Sequence, residues 1–247
     1  MPRRSILSST ERNNLLTLPD AKDELIRHYS FSESDLAIIG QHRGPVNRLG
    51  FAVQLCYMRY PGLILGVDDE PFMPLLHMVA AQLKVPIEAW NDYGKREQTR
   101  REHLIELQTI FSFQPFTTMR HYRPAVRSLD ELAWQTDKGI VLATSLVQSL
   151  RQQSVLLPTL DVIERICAEA VTHANRRIHA ALADSLTPAH RQRLDALLKR
   201  KEASKLTWLA WLRLSPLRPN SRHMLAHIER LNAWQALDLP AGIERQV

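Results

Sequence analysis

Apolar positions recur every three or four residues along nearly the whole chain, and alternating runs of β-branched residues are scarce. That pattern predicts an all-α protein. The 8 glycines and 14 prolines fall mainly between the periodic segments, where an array of helices needs its breaks. A first helix is expected from Ser9 or Thr10 to just before Pro19, and a second over 20–29. Ser32 opens a third, with Asp35 three residues on as a capping-box acid, and this helix stops near Gly40. Gly44-Pro45 opens a fourth, which Pro61-Gly62 ends. Helices over 71–84, 86–92, 95–112, 118–136 and 139–153 follow, divided by Pro86, Gly94, Pro115 and Gly139.

After Leu157-Pro158, an apolar seam at Leu160, Ile163, Cys167, Ala170, Ala174, Ile178 and Ala181 predicts a long helix that must pack on something. Thr187-Pro188 starts a shorter helix. The segment 205–214 carries Trp208 and Trp211, which are expected to fill a core, and Ser221 caps a last helix through about Leu237. These breaks divide the 247 residues into three expected modules: 1–62 (helix-turn-helix-like), 63–157, and 158–247.

Composition narrows the class. With 45% hydrophobic and 23% charged residues the chain can build sizeable cores, which excludes a disordered tail or a low-complexity linker. No apolar run approaches the roughly 20 residues of a membrane span, and Met-Pro-Arg-Arg does not begin a signal peptide. A cytoplasmic protein with no membrane partner is expected, with Cys56 and Cys167 as core thiols. The net charge of +6 is unevenly spread: residues 95–128 hold seven Lys and Arg against three Glu. Such a concentration is a footprint for a polyanion.

Three groups of residues could meet nucleic acid. From Ser32 to Tyr60 the chain has the grammar of a helix-turn-helix, with Arg43, Asn47 and Arg48 crowding the N-terminal end of its second helix. Helix pairs that merely pack share this grammar. The segment Tyr93-Gly-Lys-Arg-Glu-Gln-Thr-Arg-Arg-Glu-His103 places Arg96, Arg100 and His103 on one helical face, which Leu104, Leu107 and Phe111 continue. A helix so striped is expected to root its end in a core and project its N-terminal half outward. Lys95, Gln98, Thr99 and Arg101 flank it. Basic residues there oppose the helix dipole, although Glu97 and Arg101 also suit an ordinary surface pair. Arg120, Arg123 and Arg127, with Tyr122 between, form the third group. No phosphate-cradling loop, zinc-protease motif or nucleophile elbow occurs. His223 and His227 stand four apart without a third metal ligand nearby.

Arg43-Gly-Pro-Val-Asn-Arg-Leu-Gly-Phe-Ala-Val-Gln-Leu-Cys-Tyr-Met-Arg-Tyr-Pro-Gly62, followed by the 93–103 motif and by Ser221-Arg-His-Met-Leu-Ala-His-Ile-Glu-Arg-Leu231, resembles the N-terminal region of the Tn-three family of replicative (TnpA-type) transposases. The resemblance implies helical modules that recognise the terminal inverted repeats of a bacterial transposon as double-stranded DNA. It also implies an RNase H-like catalytic domain, with acidic residues and divalent metal, that this chain lacks. On that basis the chain is expected to bind DNA without being an enzyme and to hold no cofactor itself. End-recognition contacts are expected at Arg43, Asn47, Arg48, Lys95, Arg96, Gln98, Thr99, Arg100, Arg101 and His103, with Arg96 and Arg100 foremost. Two further readings stand beside this one. One is an assembly module that pairs subunits into a homodimer through the 160–181 seam and the two tryptophans. The other is a short product that inhibits transposition by occupying the ends.

Overall fold

Helix signals in the sequence are realised with their caps in place. The structure, a computed structural model, describes residues 6–67, 69–95, 97–202, 204–215 and 221–240, without the side chains of 221 and 222. Among them every regular element is helical, and pairing outside helices is confined to two isolated bridges, Gln114 with Val155 and Arg200 with Thr207. None of these helices is long and apolar enough to cross a membrane.

Ser8 caps α1 (Ser9–Leu15), and Ser32 caps α3 (Glu33–Gly40), each with the acid three residues on reaching back to the cap amide. Between them lies α2 (Lys22–Tyr29). A three-residue turn leads to α4 (Gly44–Arg59), with Pro45 in its first turn, where its missing N–H goes unneeded. Then come α5 (Met73–Leu83), a 3-10 helix (Ile87–Asp92) and α6 (Glu97–Ile110). The single helix expected over 118–136 is instead a π turn (Thr118–Tyr122), α7 (Arg123–Ser128) and α8 (Asp130–Gln135). Pro124 falls in the first turn of α7, where its ring suits a new start better than a helix interior. α9 (Gly139–Gln152) and α10 (Leu160–Asp184) follow.

The chain divides into two compact units, Met1–Thr172 and His173–Val247. The core of the first is built around α4, whose residues from Leu49 to Met58 are all buried. Helices α2, α3, α5 and α6 and the 3-10 helix all pack on it. This core joins residues from Leu25 to Leu107 with Leu156, so it runs unbroken through positions 62 and 63, where the sequence pattern placed a module boundary. The same crossing is tied by hydrogen bonds: Arg151 Nε donates to the Pro61 carbonyl at 2.6 Å and the Leu157 amide to the Gly62 carbonyl at 2.8 Å. The Pro61-Gly62 stop signal ends α4, and the core continues past it.

Several polar groups in and around this core are matched to partners. Arg59 grips Asp35 through two bonds of 2.9 and 2.7 Å. Burial pushes the Asp35 carboxyl up, but the bonds from Arg59 and from the Ser32 cap outweigh it and hold it below the usual carboxylate range. Gln82 on α5 accepts from the Phe31 amide and donates to the Tyr29 carbonyl, both at 3.0 Å, which pins the α2–α3 link. Arg12 on α1 pairs with Asp161 and Glu164 at the start of α10.

The α10 seam is buried at Ile163, Cys167, Ala170 and Ala174, and half-buried at Ile178 and Ala181. In the second unit, Thr187 caps α11 (Pro188–Ala196). Next come α12 (Trp208–Leu212) and α13 (Ser221–Gln235). Trp208 and Trp211 do not fill a core: both are half-buried and enclose the Lys201 ammonium, which lies 3.5 Å from the Trp211 ring centre and 5.0 Å from that of Trp208.

One close approach sets the shape of the first unit. Tyr93 lies flat on the α4 backbone at Gly50, where a Cβ would stand 2.0 Å from its ring. Gly50→Ala is therefore expected to cost about 1–3 kcal/mol through overpacking. Gly40→Ala, with nothing within 4 Å, should be neutral or stabilising. Urea unfolding of both variants checks the contrast, and equal stabilities would refute the tight contact.

Candidate nucleic-acid interface

The two basic motifs, about fifty residues apart in sequence, meet in space. His42, in the turn before α4, stands with its ring centre 4.7 Å from that of His103 on α6 and 4.1 Å from that of Phe51 on α4. Tyr93 stacks on His103 at 5.7 Å with 19° between the planes, and its hydroxyl lies 3.2 Å from His103 Nδ1. Helix α6 is thereby keyed against the start of α4 by four rings.

Protonation states follow from this packing. Burial, and then the neighbouring His42, lower His103 to about 4. Burial also lowers His42 against the opposing pull of Glu106, and it raises the Tyr93 phenol. At neutral pH all three are uncharged. Tyr93 Oη and His103 Nδ1 share a hydrogen bond in which the tautomer of the neutral ring sets which atom donates.

Arg100 and His103 lie at 7% and 5% exposure on the face that carries fully buried Leu107. The stripe of α6 thus faces inward along its length, which corrects the expectation that its N-terminal half projects outward. The reason is the aromatic setting: with His42, Phe51 and Tyr93 supplied by other elements, a neutral imidazole is a core residue. What α6 shows to solvent is Glu97, Gln98, Arg101, Glu102, Ile105, Thr109 and Ile110. Gln98 donates to Glu102 at 2.9 Å, Thr99 is half-buried, and Lys95 pairs with Asp92. Arg96 lies outside the described residues.

Arg100 has no hydrogen-bond or ion-pair partner among the described residues. Its nitrogens are not among the sealed, unsatisfied atoms, which are Tyr29 Oη, His42 Nε2 and Gln54 Oε1. The side chain as a whole is packed, at 7% exposure. Arg101 and Arg43 are exposed, and Arg43 occupies the N-cap position of α4 without capping it. Arg48 is committed differently. Its Nε donates to the His42 carbonyl at 2.9 Å and its Nη2 to the Gly40 carbonyl at 3.2 Å, so it braces the turn. Asn47 is half-buried beside it.

The third group is the most open. Arg120, Arg123 and Arg127 are all exposed, and none is in an ion pair among the described residues. Sequence reasoning found these cations and missed the four-ring joint. Its only sequence signal was a pair of histidines adjoining apolar runs.

A family model described as "Domain of unknown function (DUF4158)" matches residues 6–170. Over all 247 residues the chain is 72% identical to the transposase for transposon Tn3926 of Escherichia coli and 69% identical to the transposase for transposon Tn21 of the same species. It is 53% identical to the transposase for transposon Tn501 of Pseudomonas aeruginosa. In each case it spans 25% of the relative's length.

The ring joint has a pH signature. The unfolded chain takes up a proton at His103 near pH 6.5, whereas the folded one resists until about pH 4. Stability contributed by the neutral ring is present above that window and declines as pH falls through it. Urea midpoints at about pH 7 and about pH 4.5 should fall less in His103→Gln than in the parent chain. Equal slopes would mean that the imidazole titrates freely in the fold.

Proposed function

Since the chain belongs to the DUF4158 family and shares its whole length with about a quarter of several transposases, we propose that it is the part of such a protein that holds transposon ends. It would bind double-stranded DNA, reading the terminal inverted repeat, in the service of transposition, and leave strand cleavage to the remainder of the longer protein. The observation that carries this reading is the gathering of exposed cations at Arg43 and Arg101, beside the packed Arg100, on the two helices joined by the rings. The planar arginine fork suits phosphate or a guanine edge. Arg120 and Arg123 add phosphate contacts, Lys95, Gln98 and Thr99 line the approach, and Arg48 acts by shaping the turn that presents Arg43. Within this reading His103 and Asn47 position the cationic helices.

The test is fluorescence anisotropy with a duplex carrying one end of Tn3926 and a scrambled duplex, each at two salt concentrations. Specific recognition gives a preference of about a thousandfold or more, with affinity falling by roughly 0.9 power of salt per phosphate neutralised. Arg120→Ala with Arg123→Ala should lower that slope by about two, and Arg100→Ala should weaken the preference itself. Equal affinity for both duplexes would reduce the site to a phosphate track.

A second reading, pairing of two copies of this chain, is favoured by α13. It exposes Met224, Leu225, Ile228, Leu231 and Trp234, spaced as one helical face. The 160–181 seam and the tryptophans are less suited, being occupied by contacts within the chain. Light scattering on the DNA-free chain decides it: a concentration-dependent dimer lost in Ile228→Glu supports pairing, and a monomer at all concentrations removes it.

A further inference from the structure

A lone exposed apolar side chain is ordinary on a protein surface. Met119 is different because of where it stands and what holds it. It is 99% exposed, more than any other large apolar residue described. Arg120 adjoins it in the π turn, and Arg123 and Arg127 follow four apart on α7, the interval of one helix face. No acidic residue occurs between Glu106 and Asp130. The methionine therefore projects from a surface that attracts a polyanion.

Its backbone is braced. The Thr117 amide donates to His121 Nδ1 at 2.9 Å, the Phe116 and His121 rings stand 5.5 Å apart, and Tyr122 Oη donates to Glu169 on α10 at 2.8 Å. His121 also lines a small recess with Pro124, Leu146 and Leu150, which seats the turn against α9. The π turn is wide, a form that recurs at functional sites in helical proteins. These contacts fix the turn, and none of them involves the Met119 side chain.

We propose that Met119 is a wedge that enters between adjacent base steps of bound DNA, seated there by Arg120, Arg123 and Arg127 on the flanking phosphates. The inference rests on the DNA-binding reading above. An unbranched thioether is slim, apolar and polarisable, and it fits a partly opened stack. Opening the stack bends the duplex, and the arginines beside it would meet the phosphates the bend brings near. The site thereby reads deformability, which depends on sequence at the step entered.

The experiment uses the 247-residue chain and duplexes carrying one end of Tn3926, or a scrambled sequence, with 2-aminopurine placed at successive positions. Unstacking raises 2-aminopurine fluorescence. Wild type and Met119→Leu should give a rise at a single step, and Met119→Ala should lose it. The alanine variant should also lose affinity roughly tenfold at unchanged salt slope, since no charge is removed. A thermal melt equal to wild type would separate this loss from misfolding. If Met119→Ala keeps the signal and the affinity while the chain still prefers the Tn3926 end, the wedge is wrong and end recognition stands. If the scrambled duplex is unstacked and bound equally well, and both effects depend on Met119, the wedge stands and end recognition fails. Absence of binding to either duplex overturns both.

Discussion

Contact between α4 and α6 through the rings of His42, Phe51, Tyr93 and His103 is the constraint on which the first unit depends. It requires no side chain at Gly50, because Tyr93 occupies that space, and it requires both imidazoles to be neutral. Burial disfavours a charged ring here, and Glu106, 3.7 Å from His42 Nε2, only partly offsets it, while a Cβ at position 50 would displace Tyr93. The motif that begins at Tyr93 is thus a packing element first, and its basic residues take their positions from that packing.

This joint sorts the cations by role. Arg48 spends its donors on the turn carbonyls, Arg59 on Asp35, and Arg151 on Pro61, each stabilising a bend or crossing of the chain. Arg100, Arg101, Arg43 and the 120–127 group are left without such partners among the described residues. Under the DNA-binding reading proposed above, the satisfied arginines hold the fold while the others would meet the phosphates of a bound duplex in a fixed register. That is the property a protein holding a defined stretch of DNA needs, since phosphate contacts give register and base contacts give specificity.

Helix starts were the most legible feature of the sequence, because capping is local: Ser32 and Thr187 bond to amides within three residues of themselves, and the first cap falls at Ser8, one residue before the expected Ser9. The Pro45 start of α4 and the α10 seam were legible for the same reason. The return of α5 onto α4 was not legible, because a helix stop looks alike whether the next helix leaves the core or returns to it. The helix over 118–136 also misled, since periodicity alone does not register a π turn followed by a proline restart.

The sequence by itself determined that the chain is helical, where most helices begin, and that its positive charge gathers after residue 94. Each of these follows from interactions spanning a few residues. Only the tertiary structure decided which cations face inward, because an imidazole or guanidinium is polar surface or core according to what other elements bring against it. His103 and Arg100 read as an exposed stripe until Tyr93 and His42 closed over that side of α6.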